Sequence, residues 1–514
     1  MKERSRTEYS LINMLTGMAG YVINTIVGFV CRIIFVRTLS VDYLGVNGLF
    51  TNILSVLSLA ELGISNAIVY ALYKPLADKD EKKIASIMQF YRKAYMAIGF
   101  FVAVVGLAMI PFLSVIIKEP PAIKESIYNL YLLHLATTVI SYFFSYRQSL
   151  LTAAQRQYIV SGYSYVIAIG QSALQIAYLL LTHEYIGYLL IQILGGITYN
   201  VWISRQAAKD YPFITDKNVE PLTREECRSL FRNIKALAIN KVSGVLVNST
   251  DNLAIGYFNG LLSVGLASNY TLFSNTLNTL VTMCFNALTG SVGNLNATSD
   301  ENTRYKFFKA LNLANFWIYG WAGIGMTFVS GDLVEWIFGP EYVMPIEIPL
   351  LLALNFYTIG LIHSSYTFKS TLGLFRYGQY ILIFTGILNV VLDILLGKIL
   401  GIAGIYLATL IARVCTNLWY EPYAVFRYGF HKPFALYVKD YCKKTAVLLM
   451  AGSLCWLICS LFSLQPWANF LLKAVVCTVI PNLVFYVCFG KTKEGCYLIG
   501  RAGLIVQKLL RRTA

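Results

Sequence analysis

Charge is scarce in this chain. Of its 514 residues only 13% are Asp, Glu, Lys or Arg, while 57% are hydrophobic, too little polar surface to cover a soluble protein of that length. Histidine is scarcer still. The four, His134, His183, His363 and His431, are scattered, and no Cys or His cluster has the spacing of a metal site. A disulfide framework is missing as well. Cys31, Cys284, Cys415, Cys455, Cys459, Cys477 and Cys488 fall in apolar stretches and Cys227, Cys442 and Cys496 in basic loops, none on a segment expected outside the cell. Cys455 and Cys459, one helical turn apart, read as small packing residues. Gly490-Lys491-Thr492 has the ending of a phosphate-binding loop, but Phe485 stands where the first glycine belongs and no strand precedes it. ATP hydrolysis is therefore not expected, nor any enzyme activity or cofactor. Asn248-Ser249-Thr250 matches the glycosylation pattern but sits inside an apolar run.

Long apolar runs are what the chain does have. The first, behind MKERSRTEYS, is longer than a signal-peptide core and lacks a small-residue cleavage site, so it is expected to stay as a span. Six spans are expected near 11–36, 44–73, 94–117, 126–146, 159–181 and 187–203. Six more are expected near 236–258, 263–290, 310–330, 346–368, 378–396 and 402–420, and two last ones at 445–464 and 467–489. Their lengths suit helices, and they lack the alternation of barrel strands. The fold class is thus all-α, a polytopic membrane protein of about 14 transmembrane helices. Its expected divisions are an N-terminal lobe at 1–203, a basic linker at 204–235, a C-terminal lobe at 236–420, and 421–514 with two additional helices and a basic tail. Within the linker, Thr223 and Glu226 stand at capping-box spacing and predict the start of a short helix.

The net charge of +16 points to the membrane rather than nucleic acid, because of where the charges fall. With the N-terminus inside, alternate segments hold 34 Lys and Arg on that side and four on the other. That asymmetry places both termini in the cytoplasm.

The stretch 236–258 is long enough to cross a bilayer yet carries Lys241, Asn248, Asp251 and Asn252. On a helix Lys241, Gly244, Asn248 and Asn252 share a face with Asp251 at its edge, and that face cannot look at lipid. A polar seam between packed helices and the wall of a water-filled path both account for it. Glu61, Asp251 and Arg413 lie deep in their spans. Arg32, Lys241 and Lys473 sit within reach of an interface, and Asp393 lies nearer its helix end. Cationic residues suit an anionic group such as a diphosphate, so Arg413, Arg32, Lys241, Asn248 and Lys473 are the candidate substrate residues. Glu61, Asp251 and Asp393 are the candidate coupling carboxylates, for which ion pairing is an equal explanation.

A faint repeat links LFTNIL at 49–54 with LFSNTL at 272–277, each in the second span of its half, as expected of parallel repeats about the membrane normal. At Arg37-Thr38-Leu39-Ser40, Tyr43-Leu44-Gly45, Leu59-Ala60-Glu61-Leu62-Gly63, Ala67-Ile68 and Leu72-Tyr73 the chain resembles the polysaccharide and O-antigen repeat-unit flippases. This is the polysaccharide transporter branch of the superfamily that also holds multidrug exporters and the lipid II flippase. The resemblance continues through 248–251, Gly339-Pro340-Glu341-Tyr342 and Asn389 to Asp393. It implies two six-helix lobes around a central cavity and alternating access, with Arg32 and Arg413 as counterparts in kind of the lipid II flippases' cavity arginines. The implied activity is movement of polyprenyl-diphosphate-linked oligosaccharide to the outer leaflet of a bacterial cytoplasmic membrane, coupled to H+ or Na+ or to the substrate gradient. By analogy the two additional helices flank a groove for the lipid tail. Glycosyltransferases and a polymerase of the same pathway are the implied partners. The rivals are a multidrug exporter or lipid II flippase of the same superfamily, a membrane glycan polymerase or acyltransferase, and a non-transporting scaffold.

Overall fold

A helix satisfies its own backbone, which lipid cannot do, and helix is what the apolar runs form. The computed structural model describes residues 6–61, 64–117, 121–216, 219–228, 230–231, 234, 250–374, 377–378, 380–462 and 465–500. Among the described residues there is no strand, and nine helices are long and apolar enough to cross a membrane. The protein is a polytopic all-α membrane protein.

The chain divides into two compact units, Met1–Gly265 and Leu266–Ala514. The first contains α1 (Arg6–Thr38), α2 (Val41–Leu57), α3 (Ile64–Asp78), α4 (Glu81–Ala108), the short α5 (Leu113–Ile116), α6 (Ile127–Phe144), α7 (Gln148–Ala153), α8 (Gln157–Thr182) and α9 (Tyr185–Asp210). Here α1 packs on α8, α8 on α9, and α6 on both α4 and α9. The long α10 (Thr250–Thr298) crosses the boundary. The second unit continues with α11 (Glu301–Phe338), α12 (Glu347–Thr371), α13 (Ile381–Cys415), α14 (Asn417–Ala424), α15 (Ala435–Cys459) and α16 (Pro466–Phe489). In it α11 packs against α12, α15 and α16, and α12 against α13 and α14.

Two expected spans are interrupted. The run at 44–73 is α2 and α3, joined through a 3-10 turn at Ser58–Glu61. The run at 94–117 leaves the α-helix after Ala108 and tightens to 3-10 over Ile110–Phe112. Pro111 explains the second break, since it has no N–H to give and its ring crowds the carbonyl a turn earlier. Conversely, the gap expected between the spans 236–258 and 263–290, and the one between 378–396 and 402–420, each fall within one continuous helix with a glycine at the turn. In α10 the turn is Gly260, at φ +82°, and in α13 it is Gly401, at φ +58°. Both conformations are left-handed, which glycine adopts without a Cβ clash. The chain doubles back at each. A Cβ on Gly256 would meet Val264 at 3.5 Å, and one on Gly404 would meet the Leu396 carbonyl oxygen at 2.1 Å.

The helix expected at Thr223 is present and begins with a reciprocal box. Glu226 accepts from the Thr223 N–H at 3.0 Å, and Thr223 Oγ1 accepts from the Glu226 N–H at 3.4 Å. Glu226 also pairs with Lys83 at the start of α4, and Phe231 meets Phe90 edge-on at 6.1 Å. Thus Glu226 and Phe231 fasten this segment to α4. Cys455 and Cys459 are buried, as their reading as packing residues requires, and so is Cys477.

Two outcomes check these packing statements. Gly404→Val forces side chain against backbone inside the α13 turn and should cost on the order of 1–3 kcal/mol, read as a lower unfolding temperature in detergent, whereas Gly452→Ala, which meets nothing within 4 Å, should leave it unchanged. The hydrogen bond from Lys83, helped by the Thr223 N–H, holds the Glu226 carboxyl below its ordinary range. A carboxyl depressed by folding stabilises above its unfolded pKa, near 4.3, and loses that contribution as pH falls through the folded value. Hydrogen exchange of 224–228, corrected for intrinsic rate, should therefore rise in wild type below about pH 4 and be raised at pH 7 in Lys83→Gln.

Candidate functional site

Two polar constellations stand out, one in each unit. In the first, the 3-10 turn ends on Glu61, and Ser65 in the first turn of α3 follows four residues on. On α4, Tyr91 and Tyr95 share a face and touch edge-on at 4.4 Å between ring centroids. Tyr95 Oη donates to Glu61 Oε1 at 2.5 Å, and Ser65 Oγ donates to the same oxygen. Tyr91 Oη donates to Ser65 Oγ at 2.9 Å and lies 3.1 Å from Ser149 Oγ on α7. These groups line a cavity of about 420 Å³ in which Val69 is the one aliphatic wall among the described residues. Hydroxyls, amides and a single carboxylate surround it. Such a lining can hold a proton on Glu61 or offer hydrogen bonds to a polyhydroxylated ligand.

The second constellation comes from the turn at Gly401, which lays the two halves of α13 together. Asn389 Nδ2 donates to Asp393 Oδ1 at 3.1 Å and to Thr409 Oγ1 at 3.1 Å, with Asn389 and Asp393 almost wholly buried. Asn389 Oδ1 has no hydrogen-bond partner among the described residues. Nearby, buried Arg413 donates to both the backbone and side-chain oxygens of Asn355 at 3.3 Å, and Asn355 in turn donates to the Tyr406 carbonyl at 2.8 Å. Thr385 and Thr416 hydroxyls close the seam at 2.7 Å. Asp393, Asn389 and Thr409 are oxygen donors of the kind a hard monovalent cation takes.

The candidate residues are thus distributed rather than gathered. Glu61 lines the first unit's cavity, and Asp393 and Arg413 belong to the seam of the second. Arg32 lies in α1 within electrostatic reach of Tyr188 on α9. Asp251 occupies the first turn of α10. Lys241 and Asn248 lie outside the described residues. Lys473, on α16, donates to Asp332 on α11 at 2.7 Å.

Four buried charges escaped the sequence reading: Asp332, Lys444, and the pair Lys369 and Glu421, 2.9 Å apart where α12 meets α14. All four lie just outside the ends expected for their spans. The helices run on beyond those ends, α11 to Phe338 and α12 to Thr371. The signal was the pairing of opposite signs at apolar boundaries.

No family model matches this chain, and no curated protein does. Solved structures do. An inward-facing multidrug resistance transporter of the MATE family, of the MOP superfamily, superposes with a TM-score of 0.61 at 13% identity, over 81% of this chain and 98% of its own. An outward-facing MATE transporter gives 0.55 at 13% identity over 81% and 95%. The lipid II flippase MurJ in an inward closed conformation gives 0.60 at 14% identity over 91% and 99%. The fold is that of these MOP superfamily transporters and flippases.

The Asp332–Lys473 pair gives a test of structural against binding roles. Removing one partner strands the other and should cost about 3 kcal/mol, while Asp332→Asn with Lys473→Met should recover most of the loss. Thermal unfolding of the four proteins of this double-mutant cycle in detergent measures it. Single and double variants of equal stability would contradict the pairing.

Proposed function

We propose that this chain flips a polyprenyl-diphosphate-linked oligosaccharide repeat unit from the inner to the outer leaflet of a bacterial cytoplasmic membrane by alternating access, for capsule, exopolysaccharide or cell-wall polysaccharide synthesis. The observation that carries it is the likeness to the lipid II flippase, which spans 91% of this chain against 81% for the multidrug transporters. A lipid-borne sugar diphosphate cannot cross hydrocarbon unaided, because each unsatisfied polar group costs several kcal/mol and the charges cost more. A polar path between two lobes, here assigned to 1–203 and 236–420 with 204–235 as linker, would receive the head group while the tail stays in the bilayer. The pathway's glycosyltransferases and polymerase are the partners this reading implies, and both termini face the cytoplasm, as the Lys and Arg distribution requires.

Two sites offer the reset. A proton on Glu61 changes the charge of a cavity otherwise lined by neutral groups, and Na+ would find oxygen donors at Asp393, Asn389 and Thr409. Either ion would bias one conformation over the other by its differential affinity. Arg413 is the cation assigned to the diphosphate, and Arg32 and Lys241 are secondary.

Deleting the gene should cause lipid-linked repeat units to build up on the cytoplasmic leaflet, relieved by wild type and not by Arg413→Ala. Normal surface polysaccharide in a deletion strain without a redundant flippase would overturn the reading. In proteoliposomes, Glu61→Gln should abolish dependence on a pH gradient and Asp393→Asn dependence on Na+, each lowering transport about tenfold or more; efflux of cationic drugs in place of lipid transport would favour the multidrug class.

A further inference from the structure

Two cavities follow one another along α11 and α15, a charged one closed by the end of α16 and an apolar one closed by α12. The charged one, of about 210 Å³, lies where α11, α15 and the end of α16 meet, and Lys309, Lys443, Lys444, Asp440 and Glu494 face it. Two of its ammonium groups are already matched. Lys444 donates to Asp440 at 2.6 Å and Lys309 pairs with Glu494. Lys443 pairs with no carboxylate among the described residues and rests over the face of Phe489, 5.3 Å from the ring centroid. The cavity therefore holds three positive and two negative charges, a surplus of one. Its floor is Leu313 and Phe489, apolar groups beside a charge, as at the boundary between headgroups and acyl chains.

The second cavity, of about 280 Å³, begins one turn along α15 from Lys444, at Leu448, and about two turns along α11 from Leu313, at Gly320. It is almost wholly apolar, and Gly323 and Gly452 give it room. A Cβ on Gly323 would come no closer than 3.7 Å to its neighbours and one on Gly452 would meet nothing within 4 Å. Charge followed by a narrow apolar space, in that order along one seam, matches a lipid lying parallel to the helices. The Lys- and Arg-rich end of these helices is the inner one by the positive-inside rule, a topology that rests on the charge count.

We propose that this seam binds an anionic diacyl phospholipid of the inner leaflet, its phosphodiester against Lys443 and one acyl chain along Gly320, Gly323 and Gly452. Charge selects this occupant. One phosphodiester neutralises the surplus of one, whereas a polyprenyl diphosphate would leave uncompensated negative charge beside Asp440 and Glu494. The site is independent of the transported substrate.

The test uses the full-length protein in mild detergent, with native mass spectrometry and thermal unfolding as readouts and four probes: phosphatidylglycerol, phosphatidylcholine, undecaprenyl phosphate and inorganic phosphate. Phosphatidylglycerol should be retained and raise the unfolding temperature, and the other three should not. Lys443→Glu should weaken its binding roughly tenfold or more, Gly452→Leu should weaken it by filling the apolar cavity, and Lys439→Glu, a reversal at an exposed position of the same helix outside the cavity, should not. Unfolding temperatures without lipid show whether each variant is folded. Equal binding by Lys443→Glu and Lys439→Glu, preference for undecaprenyl phosphate, or stabilisation by inorganic phosphate alone would each overturn the proposal.

Discussion

A polar group at membrane depth must find its partner inside the protein, because hydrocarbon offers none. That constraint organises this structure more than any packing preference. It makes every described element a helix, and it decides which charges the helices tolerate. Glu61 accepts from Tyr95 and Ser65, with Tyr91 bonded to Ser65 in turn, Arg413 donates to both oxygens of Asn355, and Lys369 faces Glu421. The interruptions serve the same end. The 3-10 turn at Ser58–Glu61 delivers a carboxylate to a cavity, and the turn at Gly401 folds a helix so that Asn389 meets Thr409.

Much of this architecture was legible from residue order. The apolar runs located the helices, Gly260 and Gly401 fell in the gaps expected between spans, and Thr223 with Glu226 marked a helix start that the structure caps reciprocally. These features are local, carried by composition, left-handed backbone preference and a three-residue spacing. What pairs with what was less legible. Asp332 and Lys473 are 141 positions apart, and nothing near either one names the other. Lys473 stood out as a candidate substrate cation, and the partner the structure gives it, Asp332, could not be named from the sequence. The cavity at Glu61 was half visible: the carboxylate stood out by depth, while Ser65, Tyr91, Tyr95 and Ser149 are ordinary residues made notable by convergence of four segments.

The two polar constellations differ in chemical kind. The first is open and hydroxyl-rich, with one acidic group that accepts from Tyr95 and Ser65. The second is closed, amide-rich and deep, with an asparagine oxygen left over. A protein that couples substrate movement to an ion needs groups whose charge or coordination can change without collapsing the surrounding helices. Each constellation lies within a unit of its own, on helix walls.

The ion pairs that α11 makes with α16 and with Glu494 just beyond its end have a consequence for how the protein sits in its bilayer. Residues 310–331 of α11 carry no charge and rise about 33 Å, close to the roughly 30 Å of hydrocarbon in an ordinary bilayer. Lys309 marks one end of that interval and Asp332 the other, and the same neighbouring segment answers both, with Glu494 at one boundary and Lys473 at the opposite one. The signs alternate around the four corners. A slide of either helix by one turn, about 5.4 Å, would part both pairs at once. In a membrane thinner or thicker than this gauge the two helices cannot adjust separately; they must tilt together, so hydrophobic mismatch is met by the orientation of the pair as a rigid unit.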